Sequence, residues 1–357
     1  MACMRAGKDR MTVWTRRAAL AGTTIIGAAA AVFAIRRTRS FNVGTPMGSE
    51  GLRARLTAAG LDRLADAIVR LAMPSIRMNC RPATDGTALP LGGSRLGGAP
   101  DLPPGMNWPM WQGSPMAFVA QVNLAEIAAH DQERDLPHAG PLSFYCAIDG
   151  TAAGVMLAID DPSSWLVSHF DGDLATLVRL PLPRELPERL HFPACPATFS
   201  REPTLPNVDS REVQELGLTE PERHAYIDIE SGADLGFLSV MNHHLLGYPF
   251  CLGRSPFLAG HLKTHGIPDP YEMDLQATPE EVERKVHEFQ DKAQELQREV
   301  IELQHKAEAE WRLLLQVYSN EEADMDFGGG GVLHFCIPKE ALARRDFGRV
   351  WVDMQFV

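Results

Sequence analysis

The chain has 357 residues and 39.3 kDa, enough for one large domain or two ordinary ones. Apolar residues make up 45% and charged residues 22%, which excludes collagen, low-complexity disorder and a multi-span membrane protein. The net charge of −12 is uneven: residues 1–40 hold eight Arg/Lys and one Asp, giving +7, so the other 317 residues carry −19. An acidic body argues against nucleic-acid binding, which needs a basic footprint to displace counterions.

Residues 1–40 are expected to be an address. The apolar run over 18–35 is rich in Ala, Gly and Thr, shorter than the roughly 20 residues a spanning helix needs. Arg16 and Arg17 precede it directly, and Thr15-Arg16-Arg17-Ala18-Ala19-Leu20 resembles a twin-arginine signal, a receptor-read address for export to the periplasm or cell envelope. The alternative is an uncleaved anchor through residues 18–35, the chain's one expected contact with a membrane. The six Cys are scattered without a C-x-x-C pair, so buried free thiols are expected, not a disulfide scaffold or a zinc ribbon.

Residues 41–50 read as a linker. Leu52, Leu56, Leu61, Leu64, Ile68 and Leu71 predict one amphipathic helix over 51–72, ended by Pro74. Residues 82–115, full of Gly and Pro, predict loops. Strands are predicted at 116–124, 142–148, 154–159, 165–170 and 174–180, a run of short elements that suggests an antiparallel sheet. The prolines of 181–208 predict an irregular connection, and 209–230 helical turns with Glu212, Glu215, Glu220 and Glu222 facing solvent.

Residues 279–311 predict a long helix. Pro279 is acceptable at the first position, Thr278 is a candidate N-cap, and Glu281 completes a capping box. Val282, Val286, Phe289, Ala293, Leu296, Val300, Leu303 and Ala307 follow a coiled-coil heptad. The seam either packs on the protein's own sheet or pairs with a second copy or another protein.

Three segments recur in order. Ser94 to Pro100 matches His243 to Pro249 at an offset of 149. Phe118 to Asn123 matches Leu313 to Tyr318 at 195, and Gly140 to Phe144 matches Gly331 to Phe335. The expected fold is therefore α+β: duplicated, mainly antiparallel β halves, about 51–180 and 209–357, related by pseudo-two-fold symmetry, with 279–311 inserted in the second. Gln121 and Gln316 should be equivalent.

Gly98-Ala99-Pro100-Asp101-Leu102-Pro103, Trp108-Pro109 and Phe118 to Leu124 resemble the YwqG-like family, a bacterial domain of unknown function. His243 to Pro249 fits that family's His-x-x-Gly-Gly-x-Pro segment, with Leu246 in place of the first Gly. Leu314 to Gln316, Gly331 to Phe335 and Asp346 to Trp351 also fit, so the resemblance covers about 52–357. It implies an α+β fold and no agreed activity. Immunity-type partnership with bacterial toxins, attributed to some relatives, is its pointer to a role.

No complete catalytic motif is present. His243 and His244, with His261 and His265 four apart, offer imidazoles, but no carboxylate or Cys completes a metal signature. Asp324-Met325-Asp326-Phe327-Gly328 starts like a calcium loop, yet Gly328 replaces the third acidic ligand and no Glu closes it. Gly328 to Gly331 lack the Lys-Ser/Thr of a phosphate loop, and Ser94 lacks the second Gly of a nucleophile elbow. Asp85, Asp101 and Asp149 show no paired-carboxylate spacing. Trp108, Trp111 and Met106 could line a cleft or close a sheet core. No metal, cofactor or catalytic residue is therefore expected. The expected function is a non-catalytic protein-binding module, partnered by an unknown protein or a second copy through helix 279–311. The alternative is an enzyme or small-ligand binder with a cleft between the halves, drawing on Arg95, Trp108, His243, His244, Asp324 and Asp326.

Overall fold

In the computed structural model, which describes residues 48–82, 89–150, 156, 158, 161–232, 243–268, 284 and 293–356, ten strands pair antiparallel into one sheet. The strands are β1 (Met73–Cys80), β2 (Arg95–Leu96), β6 (Ala117–Asn123), β7 (Pro141–Cys146), β8 (Trp165–His169), β10 (Cys195–Thr204), β11 (His243–Leu245), β12 (Trp311–Tyr318), β13 (Val332–Pro338) and β14 (Trp351–Gln355), in the order β8-β7-β6-β2-β10-β1-β11-β12-β13-β14. Two short ladders stand apart: β3 (Asp101–Leu102) with β9 (Val178–Arg179), and β4 (Met110–Trp111) with β5 (Ser114–Pro115). The helices are α1 (Ser49–Ala58), α2 (Ala65–Leu71), α3 (Leu124–Ile127), α4 (Arg211–Gln214), α5 (Glu220–Glu230), α6 (Pro256–His265), α7 (Ala293–Glu310) and α8 (Lys339–Ala343). The described residues within 48–268 and 300–356 belong to one compact unit, and residues 284 and 293–299 fall outside it.

Strands β6, β12 and β13 are near-continuous apolar runs, and they are buried on both faces. The sheet curls until its two edge strands approach. The Trp165 indole Nε1 donates to the Val350 carbonyl at 2.8 Å, and the Trp165 and Trp351 rings meet edge to face at 5.2 Å. Inside, Phe144 and Phe335 meet in the same way at 5.0 Å. The result is a nearly closed, barrel-like antiparallel sheet with helices around it, an α+β arrangement.

Several predicted elements are corrected. The single helix over 51–72 is two, because Gly60 takes φ +81° and the chain turns there. Both pack with Leu205, Val208, Val213, Tyr226 and Ile229 in a satellite core. The Pro-rich 181–208 segment is not merely a connection, since it contains β10 at the centre of the sheet. Pro74 and Pro203 stand opposite each other, beyond the stretches where β11 and β2 pair with β1 and β10, so their missing N–H groups cost the ladders nothing. The predicted strand 174–180 is a 3₁₀ turn, Leu174–Thr176, followed by β9, because the Asp173 carboxylate accepts from Ala175 N at 3.0 Å and caps the turn. The long helix ends at Glu310, and Trp311 opens β12.

The remainder of helix 279–311, its Thr278 cap, Asp85, most of 154–159, Arg16, Arg17 and the 18–35 run lie outside the described residues. Among the described residues, no helix is long and apolar enough to cross a membrane, and Cys80, Cys146, Cys195, Cys251 and Cys336 are free thiols.

Candidate functional site

Arg95, expected in a cleft, is 1% exposed. It sits on the short strand β2 opposite Gln121 of β6. Its guanidinium lies 3.1 Å from Asp101 Oδ2 and donates to the carbonyls of Gly93 (2.9 Å) and Ala99 (2.5 Å). Asp101 also accepts from Arg179 Nε (2.7 Å), Gln121 Nε2 (3.2 Å) and Gly92 N (2.8 Å). Burial alone would raise the Asp101 pKa, but its bonds to Arg179 and Arg95 outweigh burial and hold it below the usual range. Desolvation in turn lowers the Arg95 pKa. This network stitches the Gly-rich loop onto the sheet and leaves no side-chain donor aimed at solvent from Arg95. Ser94 is likewise consumed: its hydroxyl accepts from Asn123 N at 2.8 Å.

Trp108 is buried in the core with its Nε1 on the Met116 carbonyl at 2.9 Å, so it closes the sheet core. Trp111 Nε1 donates to Asp161 Oδ2 at 2.9 Å. His243 and His244 are both 5% exposed. His243 Nδ1 accepts from Tyr318 N at 3.2 Å, and its Nε2 lies 3.0 Å from Asn320 Nδ2. Burial, then the neighbouring His244, lowers its pKa to about 3, so it is neutral at physiological pH. His244 Nε2 donates to the Tyr248 carbonyl at 3.2 Å.

The acidic loop is brought near His243 through Asn320, which also pairs with Met325. Asp326 is its cap: Oδ1 accepts from Gly329 N (2.9 Å) and Gly330 N (3.0 Å), and Oδ2 faces Arg189 at 3.5 Å. Asp324 is exposed, with φ +49°. Of the residues expected in a cleft, Arg95, Trp108, His243 and His244 are buried. Arg95 lies on β2, His243 and His244 on opposite faces of β11 and Trp108 in a loop, and each is bonded within its own loop or ladder.

Two clusters escaped the sequence. The first is a small polar cavity of about 10 Å³, room for about one water, lined by Asn207, Asp209, Ser210, Ser255, His305 and Glu308. Ser210 Oγ and both His305 ring nitrogens are buried there without protein partners. Burial raises Glu308 to about 7 and neighbouring Glu230 to about 8. The second joins α6 to the end of α7. His261 Nδ1 lies 3.1 Å and His265 Nε2 3.5 Å from the same Glu310 oxygen. The i, i+4 spacing was legible as a shared helix face; Glu310, 45 residues beyond His265, carried no signal.

A comparison with protein families matches residues 94–355 to the domain of unknown function DUF1963. The chain belongs to this family. No curated protein matches it. The DUF1963 match begins at Ser94, so it takes in the Arg95–Asp101 network, both Gln positions and the His261–His265–Glu310 cluster, and leaves α1, α2 and β1 outside.

Proposed function

We propose that this DUF1963 protein is a non-catalytic protein-binding module of the cell envelope, in the immunity-type role, and that within DUF1963 it is YwqG-like and bacterial. The observation that carries this reading is the use of the polar residues. Arg95, Asp101, Ser94, His243 and Asp326 are each spent on holding a loop or a strand. Catalysis needs groups free to meet a substrate. The twin-arginine-like Arg16 and Arg17 support the address. Replacing both with Lys is expected to leave the protein in the cytoplasm, and unchanged fractionation would favour a simple anchor.

The partner surface in this reading is the N-terminal part of the heptad seam. Val300, Leu303 and Ala307 are already covered by the chain itself, whereas Leu296 is only partly buried. Light scattering of the full chain tests it. The expected result is a mass above the monomer that Leu296→Asp reduces while the melting of the β body stays put. A monomer in both cases, with no change in capture of envelope proteins, would remove the seam from the proposal.

We further read the sheet as two copies of one unit. What supports this is the register. Gln121 Oε1 accepts from Asp101 N at 3.2 Å and Gln316 Oε1 from Phe250 N at 2.8 Å, and Asp101 and Phe250 are separated by the offset of the matching loops. Arg95 is opposite Gln121 and His244 opposite Gln316. The β6–β7 and β12–β13 ladders slip at Phe118/Ala120 and Leu313/Leu315, both at an offset of 195. The strand order reads alike from both edges if β1 exchanges with β10. Ile76 and Cys195 then correspond, facing Leu245 and Leu96, and the axis passes by the Asn79–Thr198 pair.

A further inference from the structure

We propose that His261, His265 and Glu310 bind a zinc-class divalent cation, two imidazoles and one carboxylate clamping α6 to the end of α7. The placement starts from a glycine. A Cβ on Gly260 would stand 2.7 Å from the Trp311 ring, so only glycine lets α6 lie flat on that indole. Glu310 immediately precedes Trp311, and the same close approach brings its carboxylate to the face of α6 that carries His261 and, one turn later, His265.

The distances suit a metal. Ligand atoms about 2.0–2.2 Å from a tetrahedral zinc stand about 3.3–3.5 Å apart. The two imidazole nitrogens lie 3.1 and 3.5 Å from Glu310 Oε2, and all three ligand atoms fall within 4.8 Å of one another. The tautomer of His265 also suits one. Its Nδ1 lies 2.9 Å from the His261 carbonyl, which can only accept, so Nδ1 carries the proton. In the neutral ring Nε2 then turns a lone pair toward a carboxylate oxygen 3.5 Å away. Two lone pairs so placed suit a metal ion between them. The backbone bond that orients His265 is the outer-shell support metal-binding histidines ordinarily have.

His261 is 2% exposed and holds its ring rigidly, while His265 and Glu310 are about half-exposed and open to solvent, so further coordination positions are left for water. Desolvation lowers the His261 pKa and keeps this ligand neutral. Lys306, one turn before Glu310 on α7, is the nearby positive charge that the metal must tolerate. In the bound form the single proton of His261 sits on Nε2, and any second proton on either ring is released to solvent. Binding therefore weakens as pH falls through the imidazole range.

Zinc chloride titrated into the full, chelator-treated chain tests the site, read by calorimetry and by competition with a zinc indicator at pH 7.5 and 5.5. One zinc per chain is expected, bound at least about tenfold more weakly at pH 5.5. His265→Ala and Glu310→Gln should each weaken binding by about tenfold or more without altering far-UV circular dichroism. His265→Gln serves as the second variant if the alanine loosens α6. Absence of saturable binding by the wild type, or binding that a His265→Gln/Glu310→Gln double variant retains, overturns the proposal.

Discussion

Asp101 keeps its charge at 1% exposure because Arg95, Arg179, Gln121 and the Gly92 amide all converge on it. Removing the carboxylate charge strands two guanidinium groups, one fully buried. Asp101→Asn is expected to cost about 3–5 kcal/mol, the usual loss when a buried pair is broken, measured by urea denaturation at pH 7. Its folded pKa is depressed, so its contribution is present above the ordinary carboxylate range and disappears as pH falls through the folded value. The buried histidines act at higher pH. His334 and His243 have pKa values lowered to about 3, in each case chiefly by burial. As pH drops below 6.5 the unfolded chain takes up protons that the folded chain refuses, so stability falls between about 6.5 and 3. Glu230 (about 8), Glu308 (about 7) and Asp353 (about 6) work in the opposite sense, gaining stability as they are protonated. His334→Gln should therefore flatten the acid side of a Tm-versus-pH curve relative to wild type. An unchanged slope would show that His334 is not held neutral by the fold.

Helix α7 divides between two demands along one heptad. Its C-terminal turns put Val300 and Leu303 against Leu258, Leu262 and Ile267, and Ala307 into the main core. Leu303, at 7% exposure, cannot take a charge. Leu303→Asp should lower stability by about 3 kcal/mol or more, from the lost burial plus a desolvated carboxylate, read from the denaturant midpoint. Leu296, only partly buried one heptad earlier, should lose less stability on the same change. A heptad thus marks a buried stripe without saying whose surface buries it. The seam was legible from the spacing, while its covering by α6 depended on Gly260 and Trp311, residues that no periodicity links.

At the scale of the molecule, the Trp165–Val350 hydrogen bond joins the two edges of the curled sheet amid apolar contacts. Trp165→Phe keeps most of the aromatic packing on Trp351 but leaves the Val350 carbonyl without its indole donor. A loss of about 1–2 kcal/mol is expected, together with faster amide exchange in β8 and β14. A wild-type exchange pattern would mean that ring packing alone joins the edges.

The antiparallel strands at 116–124, 142–148 and 165–170, the later Gly-led strand with its Phe335, the free thiols and the heptad were readable from local order. Alternation, apolar runs and turn residues act on neighbours in the chain, and they leave a trace there. Three things were decided only in three dimensions. Pro203 looks like a breaker until the partner strands show that no ladder needs its N–H group. Arg95 and His243 are buried, and their bonds make them donors and acceptors for the frame. Glu310 has no pattern at all, and it reaches His261 and His265 because a glycine admits an indole between distant segments. Contacts of that kind are set by packing across the fold, where sequence separation carries no energy of its own.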